Sequence, residues 1–246
     1  MITTETPFLT PSSSLADREQ ARKVAVPLVM AVATSKGSYP EHSLAVANLS
    51  RAVGVELVLG EEALLVLALG ALLHDVGKLG VPGALLHKSG PLTQHEREFI
   101  ERHSEMGARM IEQIWCLRRV APVIRHHHER YNGSGYPDGL EGEEIPLTAR
   151  IVAATDAYDA MVRSRPYREG RSPTEAIGEL TRGAGSQFDS EVVAILARVA
   201  VARSGAIGRN ARRFPPALPP ALIHRSAWKA NSAKFVGTEF SEVAGY

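Results

Sequence analysis

Apolar residues recur at helical spacing along most of the chain, and no run alternates apolar and polar residues as a half-buried strand would. The most apolar run, 63–73, holds only Ala, Leu, Val and Gly, so it predicts a central helix over 61–76 that is buried on all sides. Segments with one apolar face predict further helices over 17–34, after Ser38, from Thr93, from Leu117, near Pro146, after Ser172 and over 189–202. The expected fold class is all-α, with little or no β-sheet.

Capping residues and loops mark where the predicted helices begin and end. A Ser or Thr followed three residues later by Glu, the spacing of a capping box, is found at Ser38–Glu41, Thr93–Glu96 and Ser172–Glu175. A glycine-rich loop over 132–142 separates two of the helices, and a proline-rich segment without helical period begins at Gly205. We therefore expect an N-terminal segment with a lead-in helix at 1–37, one main domain at 38–204, and a proline-rich tail at 205–246. The tail is expected to be poorly ordered or draped over the surface, with a partner-binding segment as the alternative.

Composition narrows the class of protein. The 246 residues carry a net charge of +1, with 44% hydrophobic and 22% charged residues, so nothing drives the whole chain toward a nucleic acid polymer. Cys116 is the single cysteine, which excludes an intramolecular disulfide and a cysteine-based zinc site. The apolar run is shorter than the roughly 20 residues of a membrane span, and no signal peptide is visible. We expect a cytoplasmic location.

His74 and Asp75 close the most apolar run, where an imidazole and a carboxylate need strong compensating partners. A lone histidine on an apolar face is more often a hydrogen-bonded core residue than a ligand, but His42 and His103 repeat the same situation on two other predicted helices. Bundles build metal sites from such inward ligands on several helices. The other candidates are His126, His127, His128 and Asp156. A mixed nitrogen and oxygen set suits Fe, Mn or Zn better than a hard Ca or Mg cage.

Two stretches resemble the motifs of a known family. Residues 74–78, His-Asp-Val-Gly-Lys, resemble the signature of HD-domain metal-dependent phosphohydrolases, and residues 127–137, His-His-Glu-Arg-Tyr-Asn-Gly-Ser-Gly-Tyr-Pro, resemble the long motif of the HD-GYP subgroup. Further matches follow in order at 102–103, 156–161, 165–168 and 183–189. The resemblance covers about residues 39–202, and the eleven-residue motif makes it specific.

The resemblance implies an HD-domain helical bundle with HD-GYP additions and a phosphodiesterase that opens cyclic di-GMP to linear pGpG, with onward cleavage to GMP left open. By matched position, one divalent metal would be held by His42, His74, Asp75 and Asp156, and a second by Asp75, His103, His127 and His128. A hydroxide bridging the two metals would attack phosphorus, because paired metals acidify a bound water. Fe or Mn is favoured, with Zn, Ni, Co or Mg as alternatives.

Cationic residues near these motifs are candidates for substrate contact. Lys78 would donate to a phosphate oxygen or assist the leaving group, or it is a surface lysine favoured at a helix end. A cyclic dinucleotide has a second phosphate, and Arg165 and Arg168 match family positions that contact it; Lys88 is a weaker candidate. For these three the alternative is solvated surface charge. Tyr136 would shape the pocket wall or pack the loop.

The chain departs from the family pattern at two positions. Asn132 stands where the long motif usually carries Asp. An asparagine can still form hydrogen bonds but lacks the negative charge of an aspartate. We therefore expect the change to affect the loop rather than a metal ligand. Some members carry a glutamate one helical turn before the first histidine, where it helps to hold a third metal. That position is Ser38 here, and Glu41 is more simply a capping carboxylate. We therefore expect two metals.

Three other polar residues have simpler explanations. By the register of the motif, His126 precedes the ligand pair and is not a ligand. Glu129 would orient an imidazole or form a structural ion pair. Asp159 is expected to pair with Arg163 at i+4 on the helix surface.

The leading hypothesis is thus a metal-dependent phosphodiesterase acting on cyclic di-GMP, with signalling proteins as potential partners and no membrane span. One alternative is a phosphohydrolase for another cyclic dinucleotide, such as cyclic GMP-AMP. The other is a catalytically silent module that binds a nucleotide or a partner protein, for which Asn132 is the sole argument.

Overall fold

The computed structural model describes residues 15–36, 40–164 and 169–206, and within these ranges the chain is built from helices. The α-helices are α1 Leu15–Lys36, α2 Pro40–Glu56, α3 Glu61–Leu73, α4 Gly83–Leu86, α5 Gln94–Glu101, α6 His103–Glu112, α7 Ala121–His126, α8 Leu147–Val162, α9 Pro173–Arg182 and α10 Ser190–Ala206. Short 3-10 helices cover Val76–Gly80, Arg118–Val120 and Gly142–Glu144. Isolated bridges at Asn132–Glu141 and Ala184–Phe188 are the extended pairings in these ranges, so the all-α prediction is confirmed.

The apolar helix α3 lies at the centre of the bundle because it has two cores to fill. Leu67 and Leu72 pack with residues of α2, α8 and α10, whereas Leu69 and Leu73 pack with residues of α1, α6 and α7. This double burial explains why the helix is apolar on all sides. The stretch Glu61–Gly80 is long and apolar enough to span a membrane, but 61% of its apolar window is buried inside the protein, as for a core helix.

Two predicted capping boxes form as expected and fix the starts of their helices. At the start of α5, the Thr93 hydroxyl accepts a hydrogen bond from the Glu96 amide, and the Glu96 carboxylate accepts one from the Thr93 amide. Ser172 and Glu175 do the same for α9. Ser38, Arg165, Arg168 and the tail beyond 206 lie outside the described residues. The division into three parts stays a prediction, although Ala21 and Ala25 of α1 are buried in the same core as α3.

Two helices end earlier than their apolar periodicity predicts, both beside a histidine. The helix predicted over 61–76 ends at Leu73, and the helix predicted from Thr93 is divided into α5 and α6 at Arg102. At the division, the His103 ring donates to the Ile100 carbonyl and Ser104 donates to the Glu101 carbonyl. Side chains that take backbone acceptors in this way compete with the helical hydrogen bonds.

The 3-10 turn Val76–Gly80 that follows α3 packs against the start of α6. Gly77 lies against this helix so closely that a Cβ at position 77 would overlap the His103 carbonyl oxygen and lie 2.6 Å from the Gly107 amide nitrogen. Both obstacles are backbone atoms, which cannot move aside as a flexible side chain would. Glycine at 77 therefore permits the contact that brings the His74–Asp75 turn next to His103.

A buried hydrogen bond joins α2 to α8 on the other side of the bundle. The Ser50 hydroxyl lies 2.7 Å from the Thr155 hydroxyl, which itself donates to the Ile151 carbonyl, so Ser50 is the donor. Such a bond contributes on the order of 1 kcal/mol. It also fixes the register between α2, which carries His42, and α8, which carries Asp156.

Replacement of Gly77 by alanine is expected to lower the free energy of unfolding by about 3 kcal/mol, the upper range for overpacking against rigid neighbours. Gly83→Ala is the matched control, because a Cβ there meets nothing within 4 Å. Urea unfolding followed by circular dichroism measures both. Equal midpoints for the two variants would contradict the backbone contact at Gly77.

Candidate metal centre

The seven side chains predicted as ligands converge at one place in the bundle. His42 lies in the first turn of α2, His74 and Asp75 follow α3, and His103 begins α6. The pair His127–His128 follows α7, and Asp156 lies in the middle of α8. Four of these side chains are almost fully buried: His74, Asp75, His103 and His127.

One half of the cluster joins α2, α8 and the end of α3. His42 Nε2 lies 3.1 Å from Asp156 Oδ1, and His74 Nε2 lies 3.9 Å from the same oxygen. His74 Nε2 is also 3.5 Å from Asp75 Oδ2. One potential ligand atom from each of His42, His74 and Asp75 falls within 4.8 Å of the others, which is close enough for a single cation.

The other half of the cluster is a trio of imidazoles. His103 Nε2 and His127 Nε2 lie 3.4 Å apart, and His128 completes a group whose ligand atoms lie within 4.8 Å of one another. Asp75 contacts both halves, since its Oδ1 lies 3.6 Å from His103 while its Oδ2 faces His74. Asp75 therefore joins the two halves of the cluster.

Hydrogen bonds fix which nitrogen of each buried ring faces the cluster. The Nδ1 atoms of His74, His103 and His127 lie 2.7, 2.8 and 2.7 Å from carbonyl oxygens three residues earlier. A carbonyl only accepts, so each Nδ1 carries a proton, and each Nε2 is the nitrogen that faces the cluster. Ligating histidines characteristically donate their second nitrogen to such an acceptor.

Burial keeps the trio of imidazoles uncharged. It lowers the pKa of His103, lowers that of His127 well below its usual value, and lowers that of His128 to about 4. Two neutral Nε2 atoms facing each other at 3.4 Å have no proton to share, so their lone pairs repel. A cation between the rings turns this repulsion into attraction. The residues present therefore fit divalent metal ions.

The carboxylates of the cluster are held in their charged form. Burial alone would raise the pKa of Asp75, but interactions with His74 and Lys78 outweigh it and hold the pKa well below its usual value. Lys78 Nζ lies 2.6 Å from Asp75 Oδ2. For Asp156, burial is likewise outweighed, by the hydrogen bond from His42, and the pKa is lowered. Anionic oxygens beside neutral imidazoles are the donor set of a mixed metal site.

His42 is bound on both sides by carboxylates. Burial opposes its protonation, but hydrogen bonds to Asp156 and Asp159 outweigh burial and raise the pKa of His42 to about 9. The contact between His42 Nδ1 and Asp159 Oδ2 measures 2.7 Å. The predicted pairing of Asp159 with Arg163 is confirmed, but its predicted place on the helix surface is wrong, because Asp159 is buried. The contact with His42 was not predicted, because no local pattern connects residues 117 positions apart.

Tyr136 forms a wall beside the trio of imidazoles. Its ring stacks on His128 with centroids 4.9 Å apart and planes inclined by 30°, and its amide donates to the His128 carbonyl at 3.3 Å. Burial raises the pKa of the Tyr136 hydroxyl, which keeps the phenol neutral. The ring thus packs the loop against His128.

Glu129 holds the loop that carries Tyr136. The sequence predicted that Glu129 would orient an imidazole or form an ion pair, and neither role is the one observed. It is 3% exposed, and its Oε1 accepts the amides of Asp138 and Gly139 at 2.8 and 3.1 Å. Gly135 packs against the backbone of Glu129, where a Cβ would lie 2.5 Å from the Glu129 Cα. The loop is therefore folded back onto the segment that carries the histidine pair.

Other predicted residues lie elsewhere or outside the described ranges. Lys88 donates to both oxygens of Glu96 at 2.8 and 2.6 Å, an exposed pairing that does not bring it to the cluster. Its role in substrate binding, like those of Arg165 and Arg168, stays a prediction. His126 Nε2 contacts Asp138 rather than the cluster, as its position before the ligand pair suggested.

Asn132 acts within its own turn. Its Oδ1 accepts hydrogen bonds from the Ser134 amide and hydroxyl at 3.2 and 2.7 Å. An aspartate oxygen would accept the same bonds, so the substitution relative to the family motif leaves this turn intact.

A helical bundle that closes around buried histidines and aspartates defines a class of metal-binding helical proteins. The chain belongs to one family of that class, the HD domain family, whose model matches residues 11–192. The family recognised from the motifs is thereby confirmed.

Named relatives extend this assignment. The chain is 41% identical over 148 residues to the "Cyclic di-GMP phosphodiesterase response regulator RpfG" of Xanthomonas campestris pv. campestris, covering 59% of this chain and 39% of that protein. It is 36% identical over 159 residues to the "3'3'-cGAMP-specific phosphodiesterase 1" of Vibrio cholerae, covering 64% of this chain and 37% of that protein. The chain thus spans less than half the length of these curated relatives.

A solved structure shares the fold. The crystal structure of a cyclic GMP-AMP specific phosphodiesterase of V. cholerae superposes with a TM-score of 0.60 at 22% identity, covering 84% of this chain and 56% of that chain. This likeness supports the helical HD architecture.

Glu129→Ala is expected to release the loop over 132–142, because the amides of Asp138 and Gly139 lose their carboxylate acceptor, and a hydrogen bond to a charged group contributes about 1.5–3 kcal/mol. Glu129→Gln is the matched control, since its amide oxygen can still accept both bonds. Limited proteolysis followed by mass spectrometry locates cleavage. A loop that is cut equally slowly in both variants would show that Glu129 does not hold it.

Proposed function

We propose that this chain is a metal-dependent phosphodiesterase that hydrolyses cyclic di-GMP to linear pGpG, with GMP as a further product still to be tested. The observation that carries the proposal is the pair of facing imidazole nitrogens, His103 Nε2 and His127 Nε2, beside a carboxylate that contacts both halves of the cluster. The similarity to relatives named as cyclic di-GMP phosphodiesterases supports this substrate.

The centre would hold two divalent cations, with Fe or Mn favoured and Zn, Ni, Co or Mg as alternatives. The first cation would be held by His42, His74, Asp75 and Asp156, and the second by Asp75, His103, His127 and His128. When bound, such paired cations lower the pKa of a water molecule and offset negative charge on phosphoryl oxygens. The chain's own contribution is to hold seven donors in fixed orientations and to exclude bulk water from four of them.

Lys78 would act on the substrate from the edge of the centre. Its ammonium is 2.6 Å from Asp75 Oδ2, which places a positive charge beside the carboxylate that contacts both halves of the cluster. From there it can donate to a phosphate oxygen or to the departing oxygen as negative charge develops. Tyr136 would offer an aromatic face to a base or sugar, and Arg165, Arg168 and Lys88 remain proposed contacts to the second phosphate.

A second candidate substrate is cyclic GMP-AMP, because a relative named as specific for that dinucleotide is 36% identical to this chain. Both substrates present two phosphodiesters to the same centre, so the distinction depends on base recognition. We further propose that the protein works in the cytoplasm and that signalling proteins regulate it.

His127→Ala is expected to lower kcat on cyclic di-GMP by more than about 100-fold. Loss of a residue that only hydrogen-bonds a metal ligand typically costs about 10- to 100-fold in activity, and loss of the ligand itself should cost more. His126→Ala is the neighbouring control and is expected to retain activity. Chromatographic separation of pGpG and GMP from cyclic di-GMP, with anaerobically purified, metal-loaded protein, measures the rates.

Parallel reactions with cyclic GMP-AMP separate the two candidate substrates. If cyclic GMP-AMP is hydrolysed rapidly and cyclic di-GMP is not, the substrate is cyclic GMP-AMP and the proposal for cyclic di-GMP is wrong. Binding of either dinucleotide without turnover by a protein that holds two ions would instead establish a silent binding module.

Lys78→Ala is expected to lower kcat by about 100-fold, the typical cost of removing one charge-stabilising donor, while leaving two ions per chain. Lys23→Ala is a control, since that lysine pairs with Glu19 on the exposed surface of α1. Steady-state kinetics and metal analysis on the same preparations provide both quantities. Loss of metal from the Lys78 variant would show that the lysine supports Asp75 rather than the substrate.

A further inference from the structure

His42 is oriented differently from the other buried imidazoles of the centre. The rings of His74, His103 and His127 are each fixed by a neutral carbonyl three residues earlier, within their own segment. The ring of His42 is fixed by a carboxylate, Asp159 Oδ2, which lies 117 residues away on α8. Because Nδ1 is engaged by Asp159, the atom that His42 can offer to a cation is Nε2.

Asp159 is itself held rigidly. Arg163 donates to both of its oxygens, with Nε 2.8 Å from Oδ2 and an Nη 3.1 Å from Oδ1. The same guanidinium donates to the carbonyl oxygen of Glu41 at 3.0 Å. Since Glu41 precedes His42, these bonds form a closed circuit between the start of α2 and the end of α8.

We propose that Asp159 and Arg163 form a positioning pair that orients His42 and thereby sets the affinity of one of the two cation sites. This inference rests on the two-cation centre proposed above. The pair itself would touch neither cation nor substrate. It would act through the ring of His42, whose Nε2 faces Asp156 at 3.1 Å.

The pair should act selectively. An imidazole whose Nδ1 donates to a carboxylate binds a metal through Nε2 more strongly than one whose Nδ1 donates to a carbonyl. Hydrogen-bond partners of this kind contribute about 10- to 100-fold to metal affinity. The described contacts of Asp159 run to His42 and Arg163, and none runs to the trio His103, His127 and His128. Loss of Asp159 should therefore weaken one site and spare the other.

The test measures Mn²⁺ binding by the full chain, with stoichiometry and the two dissociation constants obtained by titration against a competing chelator. Wild type is expected to hold two ions. Asp159→Ala is expected to weaken one site by about 10- to 100-fold and to leave the other unchanged. Asp159→Asn keeps an acceptor for His42 but loses the ion pair, so it should lie between the two.

A matched control comes from a second aspartate–arginine pair of the bundle. Asp189 is buried, accepts a hydrogen bond from Arg150 and caps the first amides of α10, but its described contacts do not include a residue of the centre. Asp189→Ala should lower the melting temperature of the metal-free protein without weakening either site selectively. This control separates positioning of His42 from a general loss of stability.

A double-mutant cycle tests whether Asp159 acts through His42. In a His42→Ala background, Asp159→Ala should cause no further loss of affinity, whereas in a His128→Ala background it should weaken the remaining site. Unchanged affinities in Asp159→Ala, or equal weakening of both sites, would overturn the positioning role while two ions in wild type still support the proposed centre. A wild-type chain without tightly bound ions would overturn the centre itself, and this inference with it.

Discussion

The repulsion between lone pairs that face one another inside the bundle is the constraint on which the rest of the structure depends. His103 Nε2 and His127 Nε2 lie 3.4 Å apart, and neither carries a proton, because burial keeps both rings neutral and the one proton of each ring is on the Nδ1 that donates to a carbonyl. Nearby carboxylates and burial increase the cost of this arrangement. Such a cluster is stable only where the surrounding packing is strong or where cations occupy the space between the donors.

The packing of α3 supplies that strength. Its side chains fill two separate cores, so the helix cannot move without exposing apolar surface on both sides. The turn that follows places His74 and Asp75 at the boundary between those cores. Gly77 then lets this turn approach the backbone of His103, which is how one polar turn comes to contact both halves of the centre. A stable apolar helix thus leads directly into buried polar groups of the centre.

Much of this arrangement could be predicted from the sequence, because periodicity and motif register are local signals. The helices, two capping boxes and the convergence of the predicted ligand set agree with the structure. The ends of α3 and α5 could not be predicted from apolar periodicity, since side chains near them compete for backbone carbonyls. The links from Asp159 to His42 and from Glu129 to the loop amides also escaped prediction. Each depends on geometry that only the folded chain creates.

The two halves of the centre differ in how they are assembled. The trio His103, His127 and His128 comes from the start of α6 and the end of α7, and the rings of His103 and His127 are each fixed within their own segment. The other half closes only when α2 docks against α8, through a contact that spans 117 residues. Closing a longer loop costs more conformational entropy, so this half depends more on tertiary contacts such as the Ser50–Thr155 hydrogen bond. Because a cation bound there would bridge α2 and α8, its binding free energy would also stabilise their docking, whereas a cation held by the trio and Asp75 would join α6 and the end of α7 to the turn that follows α3.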